Sequence, residues 1–420
     1  MLSCDANSDA ILRACGSLAY KGRWGNLLLA VGADLNLMTF TRGPMAEEST
    51  RAFSYELNIT DELIIALQWD NAVDFLKKIS RLYARWTILG IGEWSRQSNT
   101  DIITTIKNLS PHSQRRVLTA PRLCQMLTPP AVADAASLRT LLSFIAYENF
   151  LSGGDSPADN TWTALGDRYY NASASVENCR EFPTDYLAQM IGTEYIAPEV
   201  QGLIIDCASP ISRSFSPHVF DCVVHAEYGD MESIKTRLTD ALTFISDASM
   251  QARMCVGSSL KVAAVVDTPH SPDAYCGSSV RSLIGRVLLT NLRSSAWTLE
   301  ELADRIVHEA IHSLLYKIEY WSPLYTDDVA AYNETVKSPW SGRMLALHSY
   351  VHACYVWFGL WNFWRKASHL SGCADKYMLR AARGFLGASP LSLIGTNAYF
   401  VIAPEVRYAV EQMTSIVADC

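Results

Sequence analysis

The chain has 420 residues, enough for two or three domains, and 49% of them are apolar against 19% charged, so a sizeable core can be buried. A formal charge of −8 gives no electrostatic reason to expect nucleic acid or an anionic membrane surface as partner. Eleven cysteines, an odd number without a CxxC pair, make neither a zinc ribbon nor a disulfide framework and read as reduced, mostly buried small side chains.

The opening MLSCDANSDAILRACG lacks a basic n-region and an apolar h-region, so no signal peptide is expected and a soluble, cytoplasmic protein is. Residues 50–150 read as helical. Trp69, Ala72, Leu76, Ile79 and Tyr83 repeat at helical spacing within DELIIALQWDNAVDFLKKISRLYARW, and SPHSQRRVLTAPRLCQML begins a second helical run at Ser110. LSGGDSPADN (151–160) is the clearest loop, and a boundary is expected between it and about residue 200. The two regions are taken as 1–195, helical and suited to peptide recognition, and 196–420, carrying the catalytic chemistry.

Past the boundary the pattern changes. GLIID (202–206), FDCVVH (220–225), LKVAAVVD (260–267) and GRVLLTN (285–291) are short β-rich runs. Between the second and third, Ile234, Leu238, Ala241, Leu242 and Ile245 share one helical face. From Trp297 onward the chain reads as helical to its end. YVHACYVWFGLWNFW (350–364) is too short to span a bilayer and carries a histidine. The fold class is therefore α+β, mainly helical, with a small β-sheet beside a metal-binding HExxH helix.

That helix is WTLEELADRIVHEAIHSLLYKIEY. Thr298 can cap it and Glu301, three residues on, can close a capping box. His308 and His312 lie one turn apart on one face, where both imidazoles reach one ion. Asp304, a turn before His308, can orient that ring through its second nitrogen. Nine histidines exist in the chain and five fall between 308 and 369, which favours a metal site over chance. The third ligand stays open. Leu315 and Ile318 stand where a metzincin would have its Gly and third His, Glu334 lies at a distance a thermolysin-like site tolerates, and Glu319 is closer but judged badly placed on the same helix. His348 and His352, again four apart on an expected helix, are the stronger offer, one as ligand and the other behind it.

HEAIH, then SPW at 338–340, then His352 eleven residues before the Phe363–Trp364 pair, resembles the HExxH-type 2-oxoglutarate-dependent peptide β-hydroxylases, which modify ribosomally made peptides. SPHSQRRVLTAPRL resembles that family's N-terminal helical segment, and the β-run before the HExxH helix has a counterpart there. The likeness covers roughly 105–125 and 275–370. It implies Fe(II), 2-oxoglutarate and O2 as working parts, a precursor peptide as partner, a side-chain methylene as target, and His352 as the third ligand beside His308 and His312. Three neutral histidines can cap one face of an octahedral Fe(II), leaving positions for the keto acid and O2, although zinc accepts three histidines equally well.

Glu309 separates the readings. A zinc metallopeptidase needs it as general base, whereas an oxygenase does not. The distal carboxylate of 2-oxoglutarate calls for a cation, and Arg343, between the Ser-Pro-Trp turn and the His352 helix, is the choice, with Arg281 and Arg286 in reserve. Trp357, Trp361 and Trp364 read as core, Trp340 as a wall of the pocket, and Arg365 as a snorkelling side chain. A chain that binds a peptide without turnover is the non-enzymatic alternative, disfavoured by the intact histidines and glutamate.

Overall fold

Apolar runs too short for helices become strands here, and the longer periodic stretches become helices. The computed structural model describes residues 59–98, 100–127, 135–157, 161–170, 194–206, 209, 224–225, 231–267 and 276–420. The expected strand residues 220–223, the loop residues 158–160 and everything before 59 lie outside the described residues.

The first expected helical run is two helices, α1 (Ile59–Leu67) and α2 (Val73–Ser98). Trp69 sits between them with a φ of 61°, in the left-handed region a helix cannot contain. Its spacing still reads as helical because Trp69, Ala72, Leu76 and Ile79 all enter one hydrophobic cluster, and Tyr83 is buried in the next. Three short helices follow, α3 (Ile102–Lys107), α4 (Pro111–Leu118) and α5 (Pro121–Leu127), and then α6 (Ala135–Leu151). Ser110 caps α4 through the Ser113 N–H, and Pro111 opens it where its missing N–H costs nothing.

β1 (Thr161–Trp162), β2 (Arg168–Tyr170) and β3 (Glu194–Ile196) form a small antiparallel sheet. The main sheet holds β4 (Glu199–Val200), β5 (Leu203–Asp206), β6 (Val224–His225), β7 (Val262–Asp267), β8 (Gly277–Ser278) and β9 (Arg286–Thr290). Its order is β4-β5-β7-β9-β8, with β5, β7 and β9 parallel and β4 and β8 antiparallel at the two ends. Every residue of β5, β7 and β9 is buried, which is why those runs are largely apolar rather than alternating, with polar residues at their ends. The expected single helix before β7 is two, α7 (Met231–Ala248) and α8 (Met250–Ser259), because Ser249 turns extended and caps the second.

α9 (Leu299–Glu319) carries the HEAIH stretch and packs against α2, α7, α8 and the long α11 (Leu347–Lys366). Thr298 accepts the Glu301 N–H as expected, while the Glu301 carboxylate turns away to Tyr377, so the reciprocal half of the capping box is not made. Between α9 and α11 lie α10 (Asp328–Asn333) and a hairpin, β10 (Thr335–Lys337) with β11 (Met344–Ala346), in a stretch expected to be helical throughout. The Ser-Pro-Trp residues form its turn. α12 (Ala374–Ala382), α13 (Thr396–Val401) and α14 (Pro404–Ala418) close the chain. One hydrophobic cluster runs from Leu63 to Val417, so α1 and α2 share a core with the C-terminal helices across residue 195.

Gly359 sets how closely α11 approaches α9. A Cβ there would stand 2.6 Å from Ile311 Cδ1, and the Gly359 carbonyl accepts the Trp69 indole N–H at 2.8 Å. Among the described residues, no helix is long and apolar enough to cross a membrane. The six described cysteines are unbridged, and four of them are buried.

Candidate metal centre

α9 presents His308, His312, Tyr316 and Glu319 along one side at intervals of three and four residues, so this face runs from the surface into the core. His308 keeps 15% side-chain exposure, while Glu319 and His352 keep 3% and 1%. The Nε2 atoms of His308 and His312 stand 3.2 Å apart. Two nitrogens bound to one ion at about 2.1 Å would stand roughly 3.0 Å apart in neighbouring octahedral positions and about 3.4 Å apart in tetrahedral ones. The spacing therefore suits chelation of either kind.

These two histidines and Glu309 form one wall of a cavity of about 110 Å³. Gly277, Ser278 and Ser279 of the β8 edge form another, Ser338, Ser341 and Leu345 of the hairpin a third, and Trp357 of α11 closes it. Glu309 is tethered there. Ser279 Oγ donates to its Oε2 at 2.7 Å, and Arg305 Nη1 lies 3.7 Å from its Oε1.

Behind His312 the polar line continues inward. His312 Nδ1 and His352 Nδ1 stand 3.2 Å apart, His352 Nε2 is 2.6 Å from Glu319 Oε1, and His348 Nε2 is 2.9 Å from the same oxygen. Arg281 Nε lies 3.4 Å from the other oxygen of Glu319, and Arg281 Nη1 donates to the Tyr332 hydroxyl. His348 is wedged by aromatic rings, with Tyr332 stacked at 4.6 Å and the Tyr325 hydroxyl donating to its backbone carbonyl.

Burial holds His308 and His312 well below the ordinary histidine value, with Arg305 the next cause for His308 and His352 for His312. Burial and then His348 push His352 down to about 4. All three are thus uncharged at neutral pH and keep lone pairs for an ion. Burial works to raise the Glu319 carboxyl, but His348, Arg281 and His352 hold it well below the carboxylate range, so it stays an anion.

Among the described residues, the three ligand side chains whose donor atoms all lie within 4.8 Å of one another are Glu319, His348 and His352, a buried group that could hold a metal ion. His308, His312 and His352 do not converge in the same way. His352 touches His312 but directs its Nε2 at Glu319, away from the pocket. Glu319, set aside in the sequence, is the hub. It lies seven residues after His312, two turns on, which is the spacing that keeps a residue on the same helical face.

The other expected residues separate cleanly. Asp304 does not orient His308, because its oxygens accept from Trp364 Nε1 and Arg380 Nη2, both at 2.7 Å. Trp340 does not wall the cavity. It is buried behind it, donating to the Ala381 carbonyl and stacked on Trp357, which takes the lining place instead. Trp361 and Trp364 are core, and Arg365 lies over the Trp361 ring. Glu334 is exposed at the end of α10 and is not part of the grouped ligand side chains. Arg343 is half-buried, with its Nη1 enclosed and without a hydrogen-bond partner. Arg286 is buried in β9, and Arg281 is committed to Glu319 and Tyr332. Ser279 was not foreseen, and a lone serine beside a glycine offers no signal of its role.

No protein-family model matches the chain, and neither does any curated protein.

Proposed function

We propose that this chain is an Fe(II)/2-oxoglutarate-dependent oxygenase that hydroxylates a side-chain carbon, the β-carbon, of a ribosomally made peptide, in the cytoplasm. The observation that carries the reading is Glu309. It lies on the pocket wall beside the chelating pair, yet Ser279 donates to its Oε2 at 2.7 Å and Arg305 lies 3.7 Å from its Oε1, so both oxygens are engaged by the protein rather than turned freely to the pocket. A peptidase needs that carboxylate as a general base, and an oxygenase does not.

His308 and His312 would hold the iron through Nε2. As it stands, His352 orients the His312 ring, and it would complete a three-histidine set only by turning from Glu319 toward the pocket. Bound iron and 2-oxoglutarate would supply O2 activation and hydrogen removal from the target carbon. For the distal carboxylate of 2-oxoglutarate, Arg343 has the unpartnered nitrogen. It precedes β11 by one residue, so in extended backbone it shares a side with Leu345, a pocket residue. A peptide suits the remaining walls. β8 pairs with β9 alone among the described residues, and an extended chain can add to such an edge while its side chain enters the serine-lined cavity.

A zinc metallopeptidase is the second reading, favoured by the 3.9 Å between Glu309 Oε1 and His308 Nε2. One anaerobic experiment separates the two. Fe(II) followed by 2-oxoglutarate, added to metal-free protein, is expected to give a weak visible charge-transfer band that is lost in His308→Ala. Absence of the band, with tight zinc binding and cleavage of a denatured peptide pool, would establish the peptidase.

A further inference from the structure

Five ligating side chains form one unbroken line: His308, His312, His352, Glu319 and His348, joined by contacts of 3.2, 3.2, 2.6 and 2.9 Å. Two positions on it offer donors to a divalent ion. One lies at the pocket, between the Nε2 atoms of His308 and His312. The other lies in the core, among Glu319, His348 and His352. Two imidazoles and a carboxylate are a donor set that first-row divalent metals such as Fe(II) accept.

A neutral imidazole carries a single N–H. With an ion at the pocket, His312 gives its Nε2 lone pair and keeps its hydrogen on Nδ1. His352 Nδ1 accepts that hydrogen, so His352 carries its own on Nε2 and donates it to Glu319. Both nitrogens of His312 and of His352 are then satisfied, and His352 has no lone pair left for an ion in the core. With an ion in the core, the order reverses. His352 gives its Nε2 lone pair, donates from Nδ1 to His312 Nδ1, and leaves the His312 hydrogen on Nε2, the atom the pocket position requires. Filling both would set two N–H groups head to head across 3.2 Å in a part-buried place.

We propose that the chain holds one divalent transition-metal ion at a time, either at His308 and His312 or at a second, buried position formed by Glu319, His348 and His352, the single hydrogen between His312 and His352 making the two exclusive. The proposal rests on His308 and His312 being the pocket metal pair. An ion in the core leaves the pocket without one, so the buried position is a resting place that silences the site. Arg281, a fixed cation 3.4 Å from Glu319 Oε2, weakens the core position, so the pocket fills first.

The test is a Co(II) titration of the metal-free full chain, counting bound equivalents and recording the visible d–d spectrum, with circular dichroism checking each variant's fold. Wild type is expected to bind one equivalent. His308→Ala should also bind one, with a changed spectrum, whereas His348→Ala should bind one with the wild-type spectrum, and the double variant none. Two equivalents in wild type would overturn the exclusion, whatever the variants do. No binding by folded His308→Ala would remove the buried position and leave the pocket reading standing. Binding by His308→Ala with unchanged spectrum and affinity would remove the pocket reading itself, and the exclusion with it.

Discussion

The Arg116 cluster in the helical half and the Glu319 cluster behind the pocket both bury carboxylates, but they neutralise them with different donors. Arg116 on α4 reaches both oxygens of Glu148 on α6 at 3.0 Å and Asp167 in the β1–β2 turn at 2.6 Å. Its guanidinium has no lone pair and cannot lose its proton, so the contact is permanent and ties three elements together. Glu319 instead meets two imidazoles, which can change tautomer, release a proton or bind a metal. A buried carboxylate facing arginine alone therefore reads as a fastener. One facing histidines that lead to a cavity reads as part of a working site.

That difference breaks most visibly on Arg116→Met. Leaving Glu148 and Asp167 without their cation should cost about 3–5 kcal/mol in urea unfolding, with metal content of the folded protein unchanged. A loss of metal with normal stability would erase the contrast. Glu319→Gln should act the other way, weakening metal binding by about 10–100-fold, read by competition with a chromogenic chelator, because His352 and His348 lose their anionic acceptor. Unchanged affinity would make Glu319 another fastener.

Acid sharpens the comparison through opposite signs. His352 titrates near 4 in the folded protein and His308 and His312 well below the ordinary value, so the unfolded chain binds more protons at these residues. Their stability contribution is full above about pH 6.5 and is lost as pH falls toward 4. Glu148 is raised by burial against the pull of Arg116, so its contribution grows as pH falls toward the carboxylate range. Urea midpoints of metal-free protein should therefore drop between pH 7 and pH 5 through the histidines, in the direction opposite to Glu148; a rising profile there would contradict neutral buried histidines. The smallest expected effect is at Glu309→Gln, which on the proposed oxygenase reading should leave the rate of peptide hydroxylation within about tenfold of wild type, whereas loss of a general base would cost about 10²–10⁴-fold, measured as the initial rate of product formation.

Much of this was legible in the sequence where local pattern and tertiary packing agree. Thr298 capped its helix as expected, and the apolar runs at 203–206, 262–267 and 286–290 became buried strands. The helix break at Trp69 was hidden because the turn returns the chain to the same hydrophobic cluster, so helical spacing persisted without a helix. The β10–β11 hairpin was hidden because its strands are three residues each, so the exposed–buried–exposed alternation of β10 rests on Val336 alone. At the site, the pairs four apart declared themselves, but the direction of the His352 ring depends on Glu319 accepting its N–H, a choice made by packing between two helices. Asp304 failed for the same reason: Trp364 and Arg380, far along the chain, claimed its oxygens.

The bare backbone at Gly359 works as a gauge. It follows His352 by seven residues and faces Ile311, the neighbour of His312, where even one methyl would collide at 2.6 Å. The two histidine-bearing shafts thus meet here across a bare backbone, with the Ile311 end as the movable part between them. A methyl at that point would first have to push the Ile311 end aside, placing strain one residue from His312 without touching a donor.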